Sequence, residues 1–369
     1  MWNFHNPVAV HAGTGSLARL PDLLAGRRAL LITFPDAAAL GMEQAVAELL
    51  GTQLAGIENA VHPNPDVAWL EAMYERVWQQ HADVPCIVAL GGGSVIDCAK
   101  AMLAPTPTGR FAPVLGHLRD GTDFAPDRAR LKSLIALPTT AGTGSEVTPW
   151  ATIWDAAAGR KYSLHQAWTW PEAAIIDAAL MRDLPVAATL ASGLDALSHA
   201  FESIWNVNRN PVSSTLAAAA ARSILATLPQ LLRAPRDIAL REQMALAALQ
   251  AGLAFSNTRT ALAHSLSYDI TLQAGVAHGI ACSFSLPHVL QLALGCDASV
   301  DALLLQILDA THGEQAVTRL SIFLESLGVS TDPAHYGLAD SWEARLQLAL
   351  QGPRGRNFIA AGVAPMAPR

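Results

Sequence analysis

The chain has 369 residues, of which 51% are hydrophobic and 15% charged, with a formal net charge of −7. That length suits one large or two medium domains with ample core, and the composition excludes a disordered or fibrous chain. The acidic balance, with no Lys/Arg cluster, argues against nucleic acid as a partner.

The amino-terminal stretch Met1-Trp2-Asn3-Phe4-His5-Asn6-Pro7 has neither the basic nor the apolar region of a secretory signal. Residues 29–34 (Ala-Leu-Leu-Ile-Thr-Phe) read as a buried strand. Residues 67–81 read as a helix, with Leu70, Met73, Tyr74 and Val77 on one face. Residues 85–90 form a second buried strand ending in Gly91-Gly92-Gly93, and 134–137 and 174–176 are further strand candidates. Pro105 to Arg130 carries no clear period and reads as a long surface loop, with room for a hairpin. Strand–helix alternation with continuous apolar strands predicts a parallel sheet covered on both faces.

From about Pro185 the rhythm changes. Ala- and Leu-rich stretches at 213–232, 238–254, 299–310 and 314–327 predict helices. The longest apolar candidate for a membrane span, 216–232, is interrupted by Arg222, Ser223, Thr227, Pro229 and Gln230, so no span is expected. Cys86, Cys98, Cys282 and Cys296 form no CxxC pair, so reduced thiols and a cytoplasmic location are expected. The predicted organisation is an α/β domain over 1–184 and an all-α domain over 185–369, with a ligand cleft between them.

Two turns carry the nucleotide signal. The run from Leu90 to Lys100, LGGGSVIDCAK, goes strand, glycines, helix. Glycines let backbone approach a ligand, and a helix N-terminus offers free N–H groups to a pyrophosphate. The plainer alternative is a strand–helix turn with Ser94 as N-cap and Asp97 as its capping-box partner. A second turn, LPTTAGTGSEVT over 137–148, supplies small hydroxyls suited to phosphate and ribose. Both turns follow parallel strands, where open α/β sheets bind ligands.

The metal signal lies in the second half. Asp195 and His199 are spaced i, i+4 and share a helix face, although Ser192 and Asp195 also read as a capping box. His264 and His278 are 14 residues apart. On one straight helix they would be about 21 Å apart, so they share an ion only if the chain folds back, which Gly275 permits. Three His and one Asp suit Fe(II) or Zn(II).

Together, GGGSVIDCAK (91–100), LPTTAGTGSEVT (137–148), GLDALSHAFE (193–202) and the His264/His278 arrangement resemble the iron-containing alcohol dehydrogenase family over nearly the whole chain. The resemblance implies a Rossmann-like N-terminal domain and a helical C-terminal domain, the dehydroquinate synthase-like fold, and a homodimer or higher homo-oligomer. It implies metal ligands Asp195, His199, His264 and His278, and cofactor contacts at Gly92, Gly93, Ser94, Asp97, Thr139, Thr140, Thr143 and Lys161. The implied chemistry is hydride transfer between a nicotinamide and an alcohol or aldehyde carbon, assisted by a Lewis-acidic ion.

Two positions depart from the family pattern. Many members carry a further histidine four residues after the third ligand, assigned to proton relay. Here it is Tyr268, whose phenol would relay a proton only with help. The second strand is followed by Thr33-Phe34-Pro35-Asp36, without the carboxylate that NAD-preferring members carry at the strand end, so both NAD(H) and NADP(H) remain open. The stretches HSLSY (264–268), Asn257-Thr258-Arg259-Thr260 and Trp205-Asn206-Val207-Asn208 resemble the branch associated with phosphonate metabolism. That implies reduction of phosphonoacetaldehyde to 2-hydroxyethylphosphonate. Arg259, five residues before His264 and so about 140° around a shared helix, is the candidate for the substrate anion. The alternatives are a general short-chain alcohol or polyol dehydrogenase of the same family and, in another class, a dehydroquinate-synthase-type lyase.

Overall fold

The computed structural model describes residues 1–361, apart from the side chains of residues 269 and 272–274. The first half runs β1 (Ala9–Ala12), α1 (Leu20–Leu24), β2 (Ala29–Thr33), α2 (Met42–Leu50), β3 (Leu54–Glu58), α3 (Val67–Gln80), β4 (Cys86–Gly91), α4 (Gly93–Ala101), α5 (Ala112–Asp120), β5 (Ser133–Pro138), β6 (Trp150–Asp155), β7 (Arg160–His165) and β8 (Ala173–Ile176). Six of these strands form a parallel sheet ordered β1-β8-β5-β4-β2-β3, and β6 and β7 make a separate antiparallel hairpin.

The central strands are apolar throughout because both faces are covered. On β2, Leu30 and Ile32 pack into a core with Leu70, Met73 and Tyr74 of α3. Ala29 and Leu31 face the opposite layer, with Leu20, Leu24 and Val46. Asp66 caps α3 by accepting from Ala68 N at 2.9 Å. The sheet register sets Gly91 of β4 beside Pro138 of β5, and Thr139 N donates to Gly91 O at 3.1 Å. The turns that leave these two strands are therefore neighbours.

The second half is helical: α6 (Val186–Ile204), α7 (Pro211–Arg233), α8 (Ile238–Thr258), α9 (Leu262–Ala274), α10 (His278–Ser283), α11 (Leu286–Ala293), α12 (Ala298–Ile307), α13 (Gly313–Ser326) and α14 (Trp342–Gln351). By length and composition α7 could cross a bilayer. Here Ala217, Ala220, Ala221, Ile224 and Leu228 of α7 are buried in the helical core instead.

Several sequence expectations change. Pro105 to Arg130 contains a helix, α5, with Val114 buried, rather than only a loop. The Ser192/Asp195 capping box does not exist: α6 begins at Val186, and Ser192 lies in its interior. Nor is Ser94 an N-cap. Gly92 holds that position, Ser94 Oγ accepts from Asn64 N at 3.1 Å, and Asp97 is bonded elsewhere.

Candidate active site

One cleft of about 1320 Å³ is lined by every residue named above as a metal, cofactor, substrate or proton-relay candidate, from Gly92 and Gly93 to His264 and His278. Both glycine-rich turns line it, as expected for one site built by two strand ends. A Cβ on Gly93 would lie 2.7 Å from Thr143 Cγ2, so only glycine lets the two turns close on each other. Asp97 explains how they hold together. Its carboxylate accepts from Ser145 Oγ at 2.5 Å and from Thr152 N at 2.8 Å, tying α4 to the second turn and to β6. Burial raises the Asp97 carboxyl above its usual range, and Lys100, Ser145 and the Thr152 amide offset this only in part.

Lys100, absent from the sequence expectations, completes this support. It is fully buried and donates to Ser145 O, Ser145 Oγ and Trp150 O at 2.7, 2.8 and 2.7 Å. Burial pushes it down to about 8. The β6–β7 hairpin delivers Lys161, whose ammonium lies 5.1 Å from the Trp154 ring centre and 4.1 Å from that of Tyr268. Asp36 also lines the cleft, from the short turn after β2, so a carboxylate does stand near that strand end.

At the helical end, α6 presents Asp195 and His199, each no more than 5% exposed. Gly275 ends α9 with φ of 65°, and His278 opens α10, so the chain folds back between His264 and His278. Gly279 lets α10 lie directly on the Ala191 backbone of α6. As a result Asp195 Oδ1 lies 3.4 Å from His264 Nε2, 3.9 Å from His199 Nε2 and 4.0 Å from His278 Nε2. Asp195 Oδ1 and His264 Nε2 are buried and make no hydrogen bond among the described residues. Unmatched buried polar atoms cost about 1–3 kcal/mol each. Converging imidazole and carboxylate donors left unsatisfied are the environment a divalent metal requires, so these residues fit an Fe(II) or Zn(II) ion. Burial holds His199 down to about 4 and His278 to about 3, which keeps both imidazoles neutral, the ligand form. Burial raises Asp195, but the three surrounding imidazoles outweigh it and hold the carboxyl below its usual range.

Two residues here were missed from sequence. Glu202, fully buried on α6, accepts from His264 Nδ1 at 2.6 Å and from His264 N at 3.1 Å. Its signal was its place at the end of GLDALSHAFE, one turn past His199. Cys282 Sγ lies 3.6 Å from His278 Nε2, and groups with Asp195, His264 and His278 with all ligand atoms within 4.8 Å of one another. Its i+4 spacing from His278 is the same signal that linked Asp195 to His199.

Arg259 departs from the sequence expectation. It does not share a helix with His264: it caps the C-terminus of α8, and α9 starts afresh at Leu262. Its backbone sits at φ 67° and ψ 169°, a region almost reserved for glycine.

Residues 7–178 match the family described as iron-containing alcohol dehydrogenase, and residues 189–355 match the Fe-containing alcohol dehydrogenase family, C-terminal. The chain is 31% identical to NAD-dependent methanol dehydrogenase from Bacillus methanolicus over 356 residues, covering 92% of this chain and 91% of that one. The chain belongs to the iron-containing alcohol dehydrogenase family. It is therefore an oxidoreductase acting on CH–OH groups, with a nicotinamide dinucleotide and a metal ion as its cofactors, and the lyase alternative is set aside.

Other matches are shorter in sequence or known from structure. The chain is 39% identical to the probable alcohol dehydrogenase EutG of Escherichia coli over 207 residues, which is 56% of this chain and half of that protein. It is 35% identical to phosphonoacetaldehyde reductase of Streptomyces viridochromogenes over 235 residues, 63% of this chain and 58% of the relative. Sulfoacetaldehyde reductase from Bifidobacterium kashiwanohense, solved with NAD+, superposes with a TM-score of 0.88 at 26% identity, over 97% of this chain and 94% of that one.

Proposed function

We propose that this dehydrogenase reduces short aldehydes that carry an acid head group, with phosphonoacetaldehyde to 2-hydroxyethylphosphonate as the physiological type reaction. The observation that carries the reading is the strained Arg259, lining the same cleft as the metal candidates, with no hydrogen bond or ion pair to its guanidinium among the described residues. A backbone held against its preference at a cleft points to function. Of the cleft carboxylates, Asp97 is bonded to Ser145 and Thr152, Asp183 to Arg182 and Arg236, and Asp195 sits among the metal candidates, and none of them pairs with Arg259 among the described residues. A phosphonate with roughly one to two charges needs such a cation. Similarity to a phosphonoacetaldehyde reductase and to a sulfoacetaldehyde reductase, both enzymes for acid-headed aldehydes by their names, supports the same class.

In this reading Asp195, His199, His264 and His278 hold the metal, which when bound would polarise the substrate oxygen. The amides around Gly92, Gly93 and Ser94 receive the pyrophosphate at the start of α4. Thr139, Thr140 and Thr143 supply hydroxyls beside it, while Asp97 and Lys100 hold the second turn in place. Lys161 and Tyr268 wall the cleft between the nucleotide turns and His278. Tyr268 is the candidate for moving the proton that balances hydride transfer, with Lys161 as the neighbouring cation. The four cysteines are free, in keeping with a reducing compartment such as the cytoplasm.

The test follows NADH oxidation with phosphonoacetaldehyde and with propanal. Arg259 is exposed in the free enzyme, so Arg259→Ala should cost about 1 kcal/mol in kcat/KM for the phosphonate substrate and much less for propanal. A wild-type enzyme that prefers propanal would leave only a general alcohol dehydrogenase.

A further inference from the structure

Arg354, in the segment after α14, was not among the residues singled out from the sequence. It is half-buried and lines the same cleft as Arg259, His264 and His278. Its Nε donates to Thr260 Oγ1 at 3.0 Å, and its guanidinium carbon lies 4.7 Å from the Tyr268 ring centre. Asn357 Nδ2 donates to Thr260 O at 2.9 Å, fixing the same residue from the same C-terminal segment. Thr260 directly follows Arg259, so the two arginines are moored to adjacent residues. The Arg259 backbone is itself pinned: its N–H donates to Phe255 O at 2.8 Å, and its carbonyl accepts from Asn206 Nδ2 at 3.1 Å.

Among the described residues, neither the Nη nitrogens of Arg354 nor the guanidinium of Arg259 make a hydrogen bond or ion pair. Lys161 lines the same cleft, its ammonium and the Arg354 guanidinium both lying against the Tyr268 ring. Guanidinium donors left unused at one cleft, on a half-buried Arg354 and an exposed Arg259, form a receptor for an anion. One planar fork satisfies two oxygens of a tetrahedral acid. Two forks cover all three oxygens of a phosphonate, which also carries more charge than a sulfonate.

Resting on the anionic-substrate reading above, we propose that Arg354 is a specificity-determining residue that closes with Arg259 on the tetrahedral oxyanion of a short aldehyde. The pair favours the more highly charged phosphonate over the sulfonate. Thr260 and Tyr268 are the groups that hold Arg354 at this angle. Its contribution is to substrate binding, so its removal acts mainly on KM.

The experiment measures kcat/KM of metal-loaded enzyme with NADH for phosphonoacetaldehyde, sulfoacetaldehyde and propanal. Wild type should rank them in that order. Arg354→Gln should lower the phosphonoacetaldehyde-to-propanal ratio by about 30- to 100-fold, chiefly through KM, as expected for loss of one partner of a desolvated charged pair. Arg354→Lys, which keeps the charge and loses the fork, should recover only part of it. Thr260→Val, which removes the acceptor for Nε and leaves the guanidinium, should skew the ratio in the same direction by a smaller factor. A wild type that favours phosphonate, with a ratio unchanged in Arg354→Gln, would reduce Arg354 to a structural strut and leave the anionic-substrate reading standing. Should Arg354→Gln fail to fold, an unchanged ratio in Thr260→Val would overturn the proposal. A wild type that favours sulfoacetaldehyde would overturn the charge preference, and one that favours propanal would overturn both the proposal and the reading beneath it.

Discussion

Replacing Glu202 by Gln should weaken metal binding although Glu202 is not one of the proposed metal ligands. Both carboxylate oxygens of Glu202 are used, one by His264 Nδ1–H at 2.6 Å and the other by His264 N–H at 3.1 Å. This arrangement places the imidazole proton on Nδ1 and leaves Nε2 free to face Asp195 Oδ1. The amide keeps the volume and only one oxygen. If its NH2 faces the backbone N–H, two donors oppose each other. If it faces Nδ1, the imidazole is driven to the tautomer protonated on Nε2, and Nε2 can no longer donate to a metal. Either way the expected loss is about 10–100-fold in metal affinity, or about 1.4–2.7 kcal/mol. The assay is chelator competition on purified enzyme loaded with Fe(II) or Zn(II), with NADH binding measured on the same samples. Glu202 is remote from the nucleotide turns, so NADH affinity should hold. Metal affinity within about twofold of wild type would refute the tautomer argument.

Gly93→Val tests the nucleotide cradle. The new side chain enters space within 2.7 Å of Thr143 Cγ2, so it must spread the two turns. The KM for NADH should rise about tenfold or more with metal content unchanged, and an unaltered KM would show the turn to be merely structural. Glu146 gives a pH signature in stability. Burial pushes its carboxyl from 4.5 up to about 7. Its stabilising contribution is therefore complete below pH 4.5 and is lost as pH rises through 7, to a total on the order of 3 kcal/mol. Glu146→Gln should raise the unfolding temperature at pH 8 and change it little at pH 5. An equal shift at both would mean the carboxyl titrates normally.

The sheet was legible where its strands are buried on both faces. Leu30 to Ile32 and Ile87 to Leu90 are continuous apolar runs because no surface of either strand meets water. β1 and β3 lie at the two edges of the sheet, are partly exposed and carry no such run, and β6–β7 depends on pairing across the turn at Gly159. Helix α5 was hidden by Pro113 and Gly116, poor helix interior formers that the first turn and packing accommodate. The site was legible in its local motifs, since i, i+4 spacing and glycine turns are short-range signals. What supports it was not. The Glu202–His264 bond spans 62 residues, the Lys100–Ser145 bonds 45, and the Arg354–Thr260 bond 94. Contacts of that range exist only once the chain is folded.

The central claim is that Asp195, His199, His264 and His278 hold the ion on which hydride transfer depends. The most direct measurement is NADH oxidation by enzyme stripped with a chelator and reloaded with Fe(II) or Zn(II), with His264→Ala and His278→Ala treated alike. Stripped wild type should lose activity and regain it on reloading. Both variants should bind NADH, retain little metal and remain inactive after reloading. Full activity in the stripped enzyme, or in either variant with its metal still bound, would contradict the account.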